Sequence, residues 1–418
     1  MSVEKKFPEI RFTGFSEEWE QRNLGELIDI RSAARVHKEQ WTETGVPFFR
    51  TSDVVSIYKG QENAKAFISH DVYKELTGKI GKVSTDDLLV TGGGSIGIPF
   101  LVPNDDPLYF KDADLLWFKN EQRFDGCFLY TFLFSDTFKK YIRSISHIGT
   151  IAHYTIEQAK ATPINKCERA EQTAIGNYFQ KLDSLIKQHQ KKHDKLSNLK
   201  KAMLEKMFPK QGEAIPEIRF KEFSREWEEE LLGDKMTVTS VKRIHQSDWT
   251  SSGVRFLRAR DIVSSYKNEE PTDYLYIAKE KYEQYSQLSG RVEVGDLLVT
   301  GVGTIGVPML VTDDAPLYFK DGNIIWFKNE NKVDGLFLFY SFVGKSIQTY
   351  IKHEAGTGTV GTYTINSGKN TPISLPTREE QTAIGNYFQK LDTLINQHQQ
   401  QITKLTNIKQ ACLSKMFV

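Results

Sequence analysis

Four short stretches of this 418-residue sequence have residue types that could do chemistry. "TGGGSIG" (91–97) has the glycine density of a phosphate loop, but no Lys-Ser/Thr pair follows it. "VGKS" (343–346) supplies the Gly-Lys-Ser, yet Phe339 stands where the loop's first glycine belongs. "GTGTVG" (356–361) satisfies G-x-G-x-x-G, but "TYTINSGKNTP" follows, which is no amphipathic helix. His189 and His193 have the i, i+4 spacing of zinc ligands on a helix. None of these completes a catalytic constellation, and HExxH and the tetrapeptide of amino-methyltransferases are missing. The sequence points to binding rather than catalysis.

The residues left over suit contact with a polyanion. Arg31, Arg35 and His37 in "RSAARVHK" correspond to Lys242, Arg243 and His245 in "TSVKRIHQ". Arg50 and Ser52 in "FFRTSDV" correspond to Arg258 and Arg260 in "FLRARDI". Gly93, Gly94 and Ser95 lie in one Gly-rich loop, Gly303 and Thr304 in the other. Thr150, His153 and Tyr154 of "HIGTIAHYT" correspond to Thr359, Thr362 and Tyr363 of "AGTGTVGTYT". Lysine and arginine neutralise phosphates, small polar side chains read base edges, and glycines let backbone approach a groove. The competing reading makes the glycines turns and pairs the arginines with acids such as Asp53 and Asp261. Lys+Arg is 55 against Asp+Glu 54, so any nucleic-acid surface must be local.

What must position these residues is a duplication. "EQTAIGNYFQKLD" occurs unaltered at 171–183 and 380–392. "LLVTGGGSIGIPFLV" (88–102) returns as "LLVTGVGTIGVPMLV" (297–311), and "PLYFKDADLLWFKNE" (107–121) as "PLYFKDGNIIWFKNE" (316–330). Each copy begins as a head whose short apolar runs, such as "DLLV" and "LLWFK", read as strands. "DGCFLYTFLFSDTFKKYI" and "DGLFLFYSFVGKSIQTYI" read as helices, so the heads are mixed α and β. Each copy ends in a long helix with a heptad seam. The seam runs through Ile175, Tyr178, Leu182, Leu185, His189, Lys192, Leu196, Leu199 and Met203, beside Phe179. Its repeat runs through Ile384, Tyr387, Leu391, Leu394, His398, Gln401, Leu405, Ile408 and Cys412, beside Phe388. Thr377 and Glu380 have capping-box spacing, and Pro209 stops the first helix. The division expected is head 1–165, helix 166–209, head 210–374 and helix 375–418. Paired antiparallel, such helices would form a ruler holding two heads about a pseudo-two-fold axis. The three cysteines form no ligand motif, no run spans a membrane and no leader precedes the chain, so a cytoplasmic protein is expected.

The chain resembles the specificity subunit of Type I restriction–modification systems. The resemblance rests on "FSEEWEQRNLGEL" with "FSREWEEELLGD", the "GDLLVTGVGTIG" loop, and the two "TPI…EQTAIGNYFQKLD" passages. It implies an α+β fold of two target-recognition domains joined by two long antiparallel coiled-coil helices. It further implies a non-catalytic subunit that binds double-stranded DNA at two half-sites. Two methyltransferase subunits would dock on it, using S-adenosylmethionine, with restriction/translocase subunits that use ATP and Mg2+. On this view the identical helix starts offer one docking surface to two identical partners. The alternatives are a non-enzymatic protein scaffold, or the DNA-recognition subunit of a Type II-like methyltransferase–nuclease.

Overall fold

In the computed structural model, which describes residues 7–145, 153–356 and 361–418, the duplication becomes two units of the same topology. The first unit comprises residues 1–190 with 400–418, and the second comprises 191–399. The end of the second long helix thus falls in the unit of the first head.

In the first unit, the apolar run "LLVT" (Leu88–Thr91) is central to a four-stranded antiparallel sheet. Its neighbours are Leu115–Lys119 on one side and Pro99–Leu101 on the other, with Asp29–Arg31 at the far edge. Successive strand residues point to opposite faces. Accordingly Leu88, Val90, Leu116 and Phe118 pack into one cluster with Ile175 and Phe179 of the long helix. Leu89, Leu115 and Trp117 pack into another, with Val54 and Phe110. A second sheet orders Trp41–Thr42, Phe67–Ile68, Val46–Phe49 and Tyr109–Phe110, the last pair parallel. Glu20–Asn23 pairs with Pro163–Lys166 and closes the head at the root of the helix.

The second unit repeats this with Leu297–Thr300 central and Thr237–Thr239, Ile324–Lys328 and Pro308–Leu310 around it. One buried acid locks each sheet. Asp87 accepts from Trp117 Nε1 at 2.9 Å and from the Asn120 amide at 2.8 Å. Asp296 does the same with Trp326 and Asn329, at 2.8 Å each. Burial pushes the Asp87 carboxyl up, and its backbone donors oppose that shift.

The apolar segments read as helices each hold two. Gly126–Phe132 and Asp136–Ile145 are separated where Ser135 Oγ accepts from the Phe138 amide at 3.2 Å. Gly335–Val343 and Lys345–Glu354 break at Gly344, whose backbone is extended.

The two long helices run Arg169–Lys206 and Arg378–Lys415, 38 residues each, or about 57 Å at 1.5 Å per residue. Within the first unit their segments pair antiparallel: Tyr178 meets Cys412 at 3.8 Å, and Asp183 meets Lys409 at 2.5 Å. Within the second, Lys200 bonds Asp392 at 2.5 Å. The seam is not uniform, since Leu199 is 38% exposed. The Thr377–Glu380 capping box is half formed. Thr377 Oγ1 accepts from the Glu380 amide at 3.4 Å, while the Glu380 carboxylate holds Arg219 instead. No helix among the described residues is long and apolar enough to cross a membrane.

Candidate nucleic-acid interface

The Gly-rich loop after the central strand is fixed from below. Thr91 Oγ1 donates to the Ser95 carbonyl and accepts from the Ile98 amide at 2.9 Å. Gly94 takes φ +70° and Gly303 +71°, left-handed conformations that favour glycine. Gly92 has no room for a side chain, because a Cβ there would lie 2.8 Å from the Tyr154 carbonyl. Its neighbours are set by backbone bonds, with Gly92 N donating to Asp114 O at 2.9 Å and Tyr154 N to Gly92 O at 2.8 Å. The second head repeats both: Gly301 N to Asn323 O at 2.8 Å, and Tyr363 N to Gly301 O at 2.9 Å. Gly94, Ser95, Gly303 and Thr304 are exposed at the loop tips, and His153 and Thr362 are exposed beside them. A bridge joins Gly93 to His153 directly.

Other candidates fall elsewhere. Tyr154 and Tyr363 are 1% exposed, and their hydroxyls bond Thr162 and Thr371. They anchor the loop from inside and offer no face to a groove; burial pushes both hydroxyls up, so they remain protonated donors. Arg31 pairs with Asp29, donates to the Ile80 carbonyl at 3.1 Å and lies over Trp117. Arg35, His37, Lys242 and His245 are exposed. Arg243 is also exposed, 3.8 Å from Asp321. Ser52 accepts from Asn63 at 3.1 Å. Thr150 and Thr359 lie outside the described residues.

Arg50 and Arg258 take the acid-paired alternative. Arg50 Nε meets Asp53 Oδ2 at 2.8 Å and its Nη2 meets Oδ1 at 3.1 Å, with a further bond to the Ala64 carbonyl. Arg258 holds Asp261 in the same way and Asp273 at 2.8 Å, while Arg260 reaches Asp273 at 2.5 Å. These forks tie a helix start to the following loop. Arg50→Ala is therefore expected to lower head stability by about 1.5–3 kcal/mol, the range for hydrogen bonds to charged groups. The selected DNA sequence should stay the same. A motif relaxed at one position, with unfolding unchanged, would restore the DNA-contact reading.

The start of the repeated helix also faces inward. Glu171 is fully buried and accepts from Arg11 at 2.6 and 2.7 Å and from Trp19 Nε1 at 3.0 Å. Gln172 accepts from the Asp125 amide at 3.0 Å and donates to the Cys167 carbonyl at 2.8 Å. Gly176 passes so close that a Cβ would sit 2.6 Å from Asp125 Oδ1. Ile175, Phe179 and Leu182, with Ile384, Phe388 and Leu391, are buried in the head cores. Tyr178, Leu185, Tyr387 and Leu394 are half-buried. These positions are those of the helix seam and the head cores. Much of the identity of the thirteen residues is explained by contacts each helix makes with its own head. Asn177, Gln180 and Lys181, with Asn386, Gln389 and Lys390, are exposed.

Sequence reasoning passed over Asp114 and Asn323, whose carbonyls hold the Gly-rich loops. Their signal was present, as a polar change inside an otherwise near-identical passage. Among the described residues no His, Cys, Asp and Glu cluster has metal-binding geometry.

Comparison with known proteins agrees with this architecture. Residues 16–198 and 224–407 each match the family described as Type I restriction modification DNA specificity domain. The chain is 25% identical over 409 residues to the Type I restriction enzyme MjaVIII specificity subunit of Methanocaldococcus jannaschii, covering 94% of this chain and 90% of that one. A stretch of 169 residues is 29% identical to a putative type I specificity subunit of Haemophilus influenzae, 40% of each chain. The fold is similar to the Type-I restriction-modification S subunit from M. genitalium, with TM-score 0.56, 17% identity and 99% of both chains covered. A structure described for complex assembly and conformational transition of the type I R-M system gives TM-score 0.50 at 16% identity, over 94% of this chain and 96% of that one. With two matched segments that together span most of its length, this chain belongs to the Type I restriction modification DNA specificity domain family.

Proposed function

We propose that this chain is the DNA-recognition subunit of a Type I restriction–modification complex, in which each head reads one half of a bipartite target. The chain itself is non-catalytic. Two methyltransferase subunits and the restriction/translocase subunits dock on it, and S-adenosylmethionine, ATP and Mg2+ belong to those partners. The observation that carries the reading is that both heads hold their Gly-rich loops with the same backbone bonds, yet present different exposed side chains there: Ser95 against Thr304, His153 against Thr362. A constant frame with variable tips suits two reading heads. It does not suit two identical catalytic sites.

The test is to sequence methylated adenines in DNA from a host expressing this chain with its methyltransferase. The expected motif has two related, non-identical halves, each with one methylated adenine, separated by unread bases. Methylation with no sequence preference, or a motif unchanged when this chain is omitted, would overturn the proposal. The scaffold alternative predicts no sequence-selective DNA binding even with methyltransferase present.

A further inference from the structure

Three of the side-chain differences between the heads converge on one spot. In the first head a methyl group built on Gly93 would lie 3.7 Å from Asp114 Oδ1 and 3.8 Å from His153 Nδ1. Gly93 therefore leaves a notch with a carboxylate oxygen on one side and an imidazole on the other. Lys111 holds Asp114 Oδ2 at 2.5 Å, which leaves Oδ1 turned to the notch. Thr51 Oγ1 donates to the Asp114 carbonyl at 3.3 Å, adding a fourth differing position to the same neighbourhood. The second head carries Val302, Asn323, Thr362 and Ala259 at the equivalent places. The shared backbone bonds through Gly92 and Gly301 put each set at the same point of its head.

We propose that this notch is a base-reading subsite of each head, with Asp114 and Asn323 as the residues that choose the base. The inference rests on the DNA-recognition reading above and deepens it. In the first head, Asp114 Oδ1 accepts from an exocyclic amino group, cytosine N4 or adenine N6, and the absent side chain at Gly93 lets the base edge enter. Carboxylates pair with the cytosine amino group, whereas an Asn amide bonds adenine N6 and N7 together. In the second head, Asn323 supplies that amide and Val302 fills the notch with an apolar surface suited to a thymine methyl. The same frame thus reads different bases by exchanging a carboxylate and an open notch for an amide and an isopropyl group. His153 borders the notch as a second polar group in the first head, and Thr362 replaces it in the second.

The test uses the full chain with its methyltransferase subunits and a pool of DNA randomised across both half-sites, sequencing the bound fraction. Wild type, Asp114→Asn, and the triple variant Gly93→Val, Asp114→Asn, His153→Thr are compared. Asp114→Asn is expected to shift preference at one position of one half-site by about 5- to 150-fold, the fold-change of one good base contact. The triple variant is expected to move that position to the base the second head selects there, leaving the other half-site intact. Unchanged preferences in both variants would overturn the proposal. So would a uniform loss of preference across the whole half-site, since that reports a damaged head rather than a lost base contact. A wild-type chain that selects no motif would instead refute the DNA-recognition reading itself.

Discussion

Replacing Phe417 with alanine is expected to destabilise the first unit by about 3–5 kcal/mol, the cost of truncating a core phenylalanine. The ring is 5% exposed and meets Phe128 at 5.6 Å, Phe132 at 6.1 Å, Phe179 at 6.2 Å and Trp19 at 6.4 Å. These partners belong to the first copy of the repeat, whereas Phe417 follows the long helix of the second, which ends at Lys415. The reverse holds for Phe208, which meets Phe337 at 5.7 Å, Phe388 at 6.0 Å and Trp227 at 6.1 Å in the second unit. Each copy thus completes the core of the unit built on the other's head. Amide hydrogen exchange read unit by unit separates the effects. Phe417→Ala should expose the sheet around Leu88–Thr91, and Phe208→Ala the sheet around Leu297–Thr300. Equal loss in both units from either variant would show that the two cores do not fail separately.

This exchange marks the limit of what the sequence made legible. The strands were readable because "LLVT" and "LLWFK" are continuous apolar runs buried on both faces. The long helices were readable because their periodicity is local. Which head a helix end serves was not, since Phe417 meets Trp19 across nearly the whole chain and no local pattern encodes that. Arg50 illustrates a different loss. Its type and loop position fit a phosphate contact and an acid pair equally, and the pair with Asp53 became visible only in the fold. Tyr154 looked like part of an exposed reading loop, although the Thr162 hydroxyl eight residues on holds it inside. Asp114 was passed over because its passage read as framework strand. The Asp-to-Asn difference from Asn323 was nonetheless visible between the copies, among changes that otherwise kept their apolar character.

The buried ion pair at the root of each long helix gives the second large effect. Glu171 is fully buried and Arg11 is 14% exposed, and their bidentate bonds tie the chain start to the helix. Removing one member strands a buried charge, which costs about 3–5 kcal/mol. Glu171→Gln is expected near the lower end, because the amide oxygen can still accept one bond. Replacing both members by methionine should recover much of the loss, since apolar groups of similar size fill such sites at little cost. The two units should differ in how far they recover. In the first, Trp19 Nε1 also donates to Glu171 at 3.0 Å and would lose its acceptor. In the second, Glu380 holds Arg219 at 2.7 and 2.6 Å, but the buried Trp227 Nε1 has no acceptor among the described residues to lose. The double variant of Arg219 and Glu380 should therefore come closer to wild-type stability than that of Arg11 and Glu171. The gap expected is about 1–3 kcal/mol, the cost of leaving one buried donor unpaired. Denaturant unfolding of both single and double variants measures it. Equal recovery in the two units would mean that the Trp19 bond contributes nothing, and a Glu171→Gln chain as stable as wild type would mean that the ion pair does not hold the helix root.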